Sequence, residues 1–370
     1  MPRKLRLAYF AHTLRSDWNN GNSHFLRGLL RALRQVGHDV TAYEPESEWS
    51  IDNLRAEPTG EQSLRQFIEI YSDLDVQTYA PHETVELWRE RLRGVEVVIL
   101  HEWNPPVFAQ MLLQLRNELG YKLLFHDTHH RASSSPETME RFGLHQFDGI
   151  IAFGEALRCI YRDRFNIQRV WTLHEAADTT VFRPHPDATR EDVVVWVGNW
   201  GDGERSAEIR RFLLEPATAL RDIVQTTVYG VRYPAEGLAA LRDAGVRYGG
   251  YLPNLDAARV YARARATVHI PRQQYSQVMR GIPTIRVFEA LACGIPLVSA
   301  PWEDSEHLFR ADDFLWAHNE AEIVQALRLL ATDSHAAEDQ AARGMETVLE
   351  RHTCKHRAQQ LTGIFEEVLA

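Results

Sequence analysis

A chain of 370 residues is longer than one hydrophobic core usually serves, so two domains are expected, and 44% hydrophobic against 25% charged residues excludes a disordered chain. With 51 acidic against 41 basic residues, a formal charge of -10 and no dense run of Lys or Arg, nucleic acid is not an expected partner. No stretch approaches the roughly 18 uninterrupted apolar residues of a membrane span. The opening run at 5–10 is too brief for a signal peptide, and Cys159, Cys293 and Cys354 lie too far apart for a disulfide framework, so reduced thiols and a cytoplasmic location are expected.

Short apolar runs alternate with helical patterns along the whole chain, the signature of parallel sheets covered on both faces, and the predicted class is α/β. A first strand is expected at 5–10. A helix follows, in which Phe25, Leu26, Leu29, Leu30, Leu33 and Val36 share one face and Gly37 supplies the stop. Further strands are expected at 40–43, 95–100, 123–125 and 150–153. Residues 44–92 are polar, acidic and weakly periodic, and read as helices inserted on the first domain.

Pro184 and Pro186 interrupt a charged segment at 178–192, which places a hinge near Ala176. The alternation then restarts, with strands expected at 193–197, 226–229, 266–270, 296–299 and 314–316, so a second doubly wound domain is expected. The last pattern carries Leu361, Ile364, Phe365 and Val368 on one helical face. This gives a first domain at 1–175, a second at 176–353 and a terminal helix at 354–370.

Three places carry candidate chemistry. The loop at 16–23 enters the first helix through Gly21 and Asn22, where backbone N–H groups can face an anion; the plainer reading is a helix start capped by Asn22 or Ser23. It lacks the G-x-G-x-x-G of dinucleotide-binding folds, which weakens a hydride-transfer reading. His126, Asp127, Thr128, His129 and His130 follow an apolar strand, and His101 and Glu102 follow its neighbour, at the strand ends where open α/β sheets bind ligands. His126 and His129 are spaced so that a metal is the alternative to a hydrogen-bonding or catalytic role. The third place is the run from Gly281 to Ser299, a loop, a short helix, a Gly stop and a buried strand, in which Arg286 and Glu289 lie one helical turn apart.

This run resembles the donor-binding motif of GT-B glycosyltransferases, in particular the CgeB-like (spore-maturation-type) subgroup of the group 1 family, with its pattern R-x-F-E-A-x-A-C-G at 286–294. Asp178, Phe182 and Pro184 are similar to the D-x-x-x-F-x-P of the same enzymes, and the looser likeness covers nearly the whole chain. The resemblance implies two Rossmann-like domains facing each other across a cleft, the first binding the acceptor, the second binding the nucleotide sugar, and the terminal helix returning to the first.

It also implies a hexosyltransferase using a nucleoside-diphosphate sugar, a UDP-sugar first, with no metal or further cofactor and retention of configuration. The acceptor is a saccharide, small molecule or protein. Glu289 would hold the ribose hydroxyls, Thr284 and Ile285 would present amides to the diphosphate, and Asn199 and Arg205 occupy the places of the family's diphosphate-binding Arg and Lys, with Arg272 or Arg286 as the second cation. His126 would contact the transferred sugar, with His129 as its substitute; in an inverting enzyme Asp127 or His129 would deprotonate the acceptor. The acidic residue that retaining members carry eight positions before Glu289 is Gly281 here. The alternatives are a sugar-nucleotide epimerase or hydrolase of the same fold and a nucleotide-binding protein without turnover. Asp73-Leu74-Asp75 matches the tripeptide of metal-dependent transferases of another fold but lies in the unpatterned insert and reads as a solvated charge cluster.

Overall fold

The structure is a computed structural model that describes residues 3–80, 82–201 and 203–370. Two compact units divide the chain: Met1–Glu175 together with Cys354–Ala370, and Ala176–Thr353. Each is a parallel sheet with helices, a Rossmann-like domain.

The first unit has seven strands: β1 (Arg6–Phe10), β2 (Asp39–Pro45), β3 (Asp75–Tyr79), β4 (Val97–His101), β5 (Lys122–Asp127), β6 (Gly149–Ala152) and β7 (Val170–Thr172). Their order across the sheet is β3-β2-β1-β4-β5-β6-β7. The central strands are buried on both faces and carry apolar runs that end in polar residues, whereas β3 at the edge has one buried residue in five and gives little hydrophobic signal. Residues 44–92 are therefore part of the doubly wound layer as well as helical: they hold the end of β2, strand β3 and the helices Trp49–Ala56, Gly60–Ile70 and Val85–Arg91. Arg27 ties this region to the first helix. Its buried guanidinium lies 5.0 Å from the Phe67 ring and 5.6 Å from that of Tyr71, while its Nε donates to the Leu14 carbonyl at 2.6 Å.

Asp73 is less free than a solvated cluster would be, since Arg31 holds its carboxylate at 2.8 Å; Asp75 opens β3 and accepts from the Thr41 hydroxyl at 2.9 Å. The terminal helix Cys354–Leu369 packs on the first helix, Ser23–Gln35, and completes this unit. Its Phe365 is buried edge-on to His38, ring centroids 6.0 Å apart, and Thr362 meets His38 Nε2 at 2.9 Å.

The second unit has β8 (Val193–Val197), β9 (Gln225–Tyr229), β10 (Arg247–Tyr248), β11 (Ala266–His269), β12 (Leu297–Ser299) and β13 (Leu315–Trp316), in the order β10-β9-β8-β11-β12-β13. Val194, Trp196, Val228, Val268 and Val298 point into one core with Phe212, Leu213, Ile323 and Leu327. β7 and β10, three and two residues long, are the strands besides β3 that the hydrophobic pattern does not announce. All three cysteines are free thiols, Cys159 exposed and the other two buried. Among the described residues no helix is long and apolar enough to cross a membrane.

Removing the buried Phe365 ring leaves a cavity between the terminal helix and the first. Phe365→Ala is expected to destabilise the first unit by about 3–5 kcal/mol, read by denaturant unfolding monitored at probes in each unit; an unchanged midpoint would contradict the packing described.

Candidate donor and catalytic sites

In each sheet the strand order reverses once, between β1 and β4 and between β8 and β11. At such a point the loops leave in opposite directions and open a crevice at the carboxyl ends of the strands. Both groups of sequence-predicted residues lie at these two places, one group in each unit.

In the first unit Thr128, just past β5, is the hub. Its hydroxyl accepts from Asn22 Nδ2 at 3.1 Å, meets His101 Nε2 at 3.0 Å and donates to Glu102 Oε1 at 3.3 Å. Asn22 is the N-cap residue of the first helix but makes no side-chain capping bond, because its amide is spent on Thr128; the capped-start reading is corrected in this respect. Gly21 and Asn22 thus border the β1–β4 crevice of the first unit.

His126 is fully buried at the end of β5. Its Nδ1 lies 2.7 Å from the Tyr9 hydroxyl, and Nε2 has no hydrogen-bond partner among the described residues. Burial pushes Tyr9 well above the ordinary tyrosine range, so the phenol keeps its proton and donates to Nδ1, which leaves the imidazole proton on Nε2. Burial also takes His126 down to about 3, making it a neutral donor at physiological pH.

Asp127 accepts from Tyr161 at 2.5 Å and from the His129 amide at 3.0 Å, and burial pushes it up to about 6. His129 is half-buried, its ring 5.1 Å from that of Trp103 and 4.0 Å from that of His130. No group of three or more His, Cys, Asp or Glu side chains able to hold a metal ion occurs among the described residues. Several residues that sequence reasoning passed over complete this end of the sheet. Glu44, fully buried, accepts from the amides of Leu14 and Arg15 and from the Arg15 side chain, fixing the loop after β1. Glu102, also fully buried, is gripped by Arg131, whose guanidinium lies 4.2 Å from the Trp103 ring. Despite Arg131, burial drives Glu102 up to about 8.

In the second unit Gly198, Asn199 and Trp200 follow β8, and Pro271 and Arg272 lie just beyond β11. A Cβ on Gly230 would lie 2.2 Å from the Gly198 carbonyl, so the loops after β8 and β9 touch backbone to backbone. The Asn199 side chain accepts from the Val231 amide at 3.0 Å and closes that contact, which makes it a loop-fixing group. Arg205 runs back across the strand ends: its guanidinium donates to the Asn199 carbonyl at 2.8 Å and to the Ile270 carbonyl at 3.2 Å, and sits 5.2 Å from the Trp196 ring.

Burial lowers Arg205 to about 10, and the positive charges of Arg272 and then Arg286 add to the shift. Arg272 and Arg286 are thus near enough for their charges to act on Arg205, and each is tethered by an acid: Arg272 to Glu204 at 2.6 Å, and Arg286 to Glu289. Glu289 is fully buried in the helix Ile285–Ala292 and Arg286 is half-buried, so the i, i+3 pair rests on an interior carboxylate. Thr284 is the N-cap residue of this helix and contributes no side-chain capping bond; Ile285 begins the first turn. Gly281 has φ +95°, and a Cβ there would lie 2.4 Å from Ser305 Oγ, so the loop is built around the missing side chain.

Residues 205–363 match the glycosyl transferase-like family, and a domain of that kind on this fold makes the protein an enzyme of the glycosyltransferase class. Over 99% of both chains it is similar in structure to a glycosyltransferase from Rickettsia africae, with a TM-score of 0.69 at 10% identity. It is similar to HepE of Anabaena, solved with UDP and glucose, at TM-score 0.71 and 10% identity over 97% of this chain and 98% of that one. An alpha-glucosyltransferase solved with UDP and a 13-mer DNA gives TM-score 0.72 at 9% identity over 98% of this chain and 100% of that one. The shared architecture is the GT-B fold of two Rossmann-like domains. No curated protein matches the chain.

A carboxyl group whose pKa rises on folding stabilises most below its unfolded value, near 4.5, and loses that contribution as pH climbs through about 8. Glu102→Gln does not titrate. The variant is expected to lose less stability than the wild type between pH 5 and pH 9 in denaturant unfolding; parallel losses would contradict a protonated Glu102.

Proposed function

We propose that the protein moves a hexosyl group from a nucleoside-diphosphate sugar, UDP-sugar first, to an acceptor hydroxyl, as a GT-B enzyme of the group 1, CgeB-like kind. The observation that carries this is the buried Arg205 guanidinium, held across the ends of β8 and β11, with Arg272 and Arg286 near enough to act on it: burial first and then these like charges lower Arg205, and a bound diphosphate offsets the positive charge. UDP in the HepE and alpha-glucosyltransferase structures supports the choice of nucleotide.

In this reading the amides at Thr284 and Ile285 and the three arginines hold the diphosphate, and Glu289 accepts from the ribose hydroxyls. Charge that grows on the leaving diphosphate is met by fixed guanidinium groups, so the reaction proceeds without a metal or further cofactor. His126 donates from Nε2 to a hydroxyl of the transferred sugar and positions it, with His129 as the alternative donor. Retention of configuration is proposed from the resemblance of the 286–294 motif. Asp127, committed to Tyr161 and the His129 amide, serves as acceptor base only under inversion. The acceptor is a saccharide, a small molecule or a protein, and not nucleic acid, given the formal charge of -10. A cytoplasmic location fits the three free thiols.

One observation favours a second reading. Gly281 supplies no carboxylate where retaining members have one, which fits a donor hydrolase, an epimerase or a binding protein without turnover. Calorimetric titration with UDP, GDP, ADP, CMP and NAD, with and without magnesium, separates these classes from a dehydrogenase. UDP is expected to bind equally well without magnesium, and Glu289→Ala to weaken it by about tenfold or more. His126→Ala is expected to leave UDP affinity unchanged and to slow sugar transfer on the order of a hundredfold. Tight NAD binding, or wild-type behaviour of both variants, would contradict the proposal; donor turnover that no acceptor accelerates would support the second reading.

A further inference from the structure

The second sheet has a face opposite the core entered by Val194, Trp196 and Val228. On that face Val195, Thr227 and Arg247 stand side by side in register across β8, β9 and β10, and such a row in a parallel sheet points one way. The helix Asn254–Arg263 lies over it and leaves a cavity of about 250 Å³, lined by Val193, Val195 and Val260 on the apolar side and by Tyr229 and the Glu191–Arg263 ion pair on the polar side. Ordinary small-molecule sites occupy roughly 300–1,000 Å³, so the occupant is compact.

Two polar groups in this row are uncommitted. Thr227 is 1% exposed and lines the cavity, yet its hydroxyl has no hydrogen-bond partner among the described residues; a buried hydroxyl in that condition is destabilising until something accepts its proton. Arg247 beside it is exposed at the rim and makes no ion pair with a described residue, whereas the neighbouring cations are neutralised, Arg263 by Glu191 and Arg265 by Asp192. With Glu191 paired to Arg263, the charge left over is that of Arg247, and this cation and the Thr227 hydroxyl beside the three valines complement a single negative charge on a small hydrophobic body.

We infer that this cavity binds a small organic acid, its carboxylate accepting from the Thr227 hydroxyl and the Arg247 guanidinium and its apolar body packing against Val193, Val195 and Val260. The site lies on the covered face of β8–β10, away from the strand-end arginines, and is independent of the nucleotide reading.

The test uses the full chain and benzoate as the probe, with amide chemical shifts followed in titration and crystals soaked in the same acid. Saturable shifts are expected at 193–195, 227–229 and 260–264, with the ring seen in the cavity. Thr227→Val, nearly isosteric, and Arg247→Gln are each expected to weaken benzoate by about tenfold and to leave UDP titration unchanged. No saturable shift at these amides, a cavity that holds water alone, or wild-type affinity in both variants would overturn the inference.

Discussion

A parallel sheet buried on both faces can present polar groups only at the ends of its strands, and the reversal of strand order decides where those ends part. In the second unit the reversal falls between β8 and β11, and it is there that Arg205 crosses from the loop after β8 to the Ile270 carbonyl past β11. That crossing and the Arg272–Glu204 pair tie the two loops together. The placing of these arginines thus follows from the winding of the sheet.

The same winding produces a different electrostatic environment in the first unit. There the strand ends carry His101, His126, Glu102 and Asp127, all deeply buried, and burial holds each toward its neutral form. His126 becomes a neutral donor fixed by Tyr9, and Glu102 keeps a proton that an exposed glutamate would lose. One sheet end offers uncharged hydrogen-bond donors suited to hydroxyl groups, while the other offers fixed positive charge suited to phosphates.

Much of this was legible in the sequence because strands buried on both faces are written as unbroken apolar runs: β1, β4, β5 and β8 could be read directly, and the polar residues after them marked strand ends. β3, β7 and β10 were not legible, since edge or very short strands bury too little to leave a pattern. The Arg286–Glu289 spacing was visible, but nothing local to a helix reveals whether a pair is buried; that depends on what packs over Glu289. Glu44, Tyr9 and Arg131 act through partners 30, 117 and 29 positions away, separations that no local spacing rule reaches. Asn22 looked like a capping residue because capping is the usual use of its side chain, and only the fold brings Thr128 close enough to claim it.

The central claim is that a nucleoside diphosphate is held at the β8–β11 reversal. The most direct measurement is a crystal structure of the full chain with UDP. The account predicts diphosphate oxygens against the amides at Thr284 and Ile285 and within reach of Arg205, Arg272 and Arg286, with the ribose on Glu289. UDP seated at the β1–β4 end beside Gly21 and Asn22, or the diphosphate lying clear of all three arginines, would contradict it.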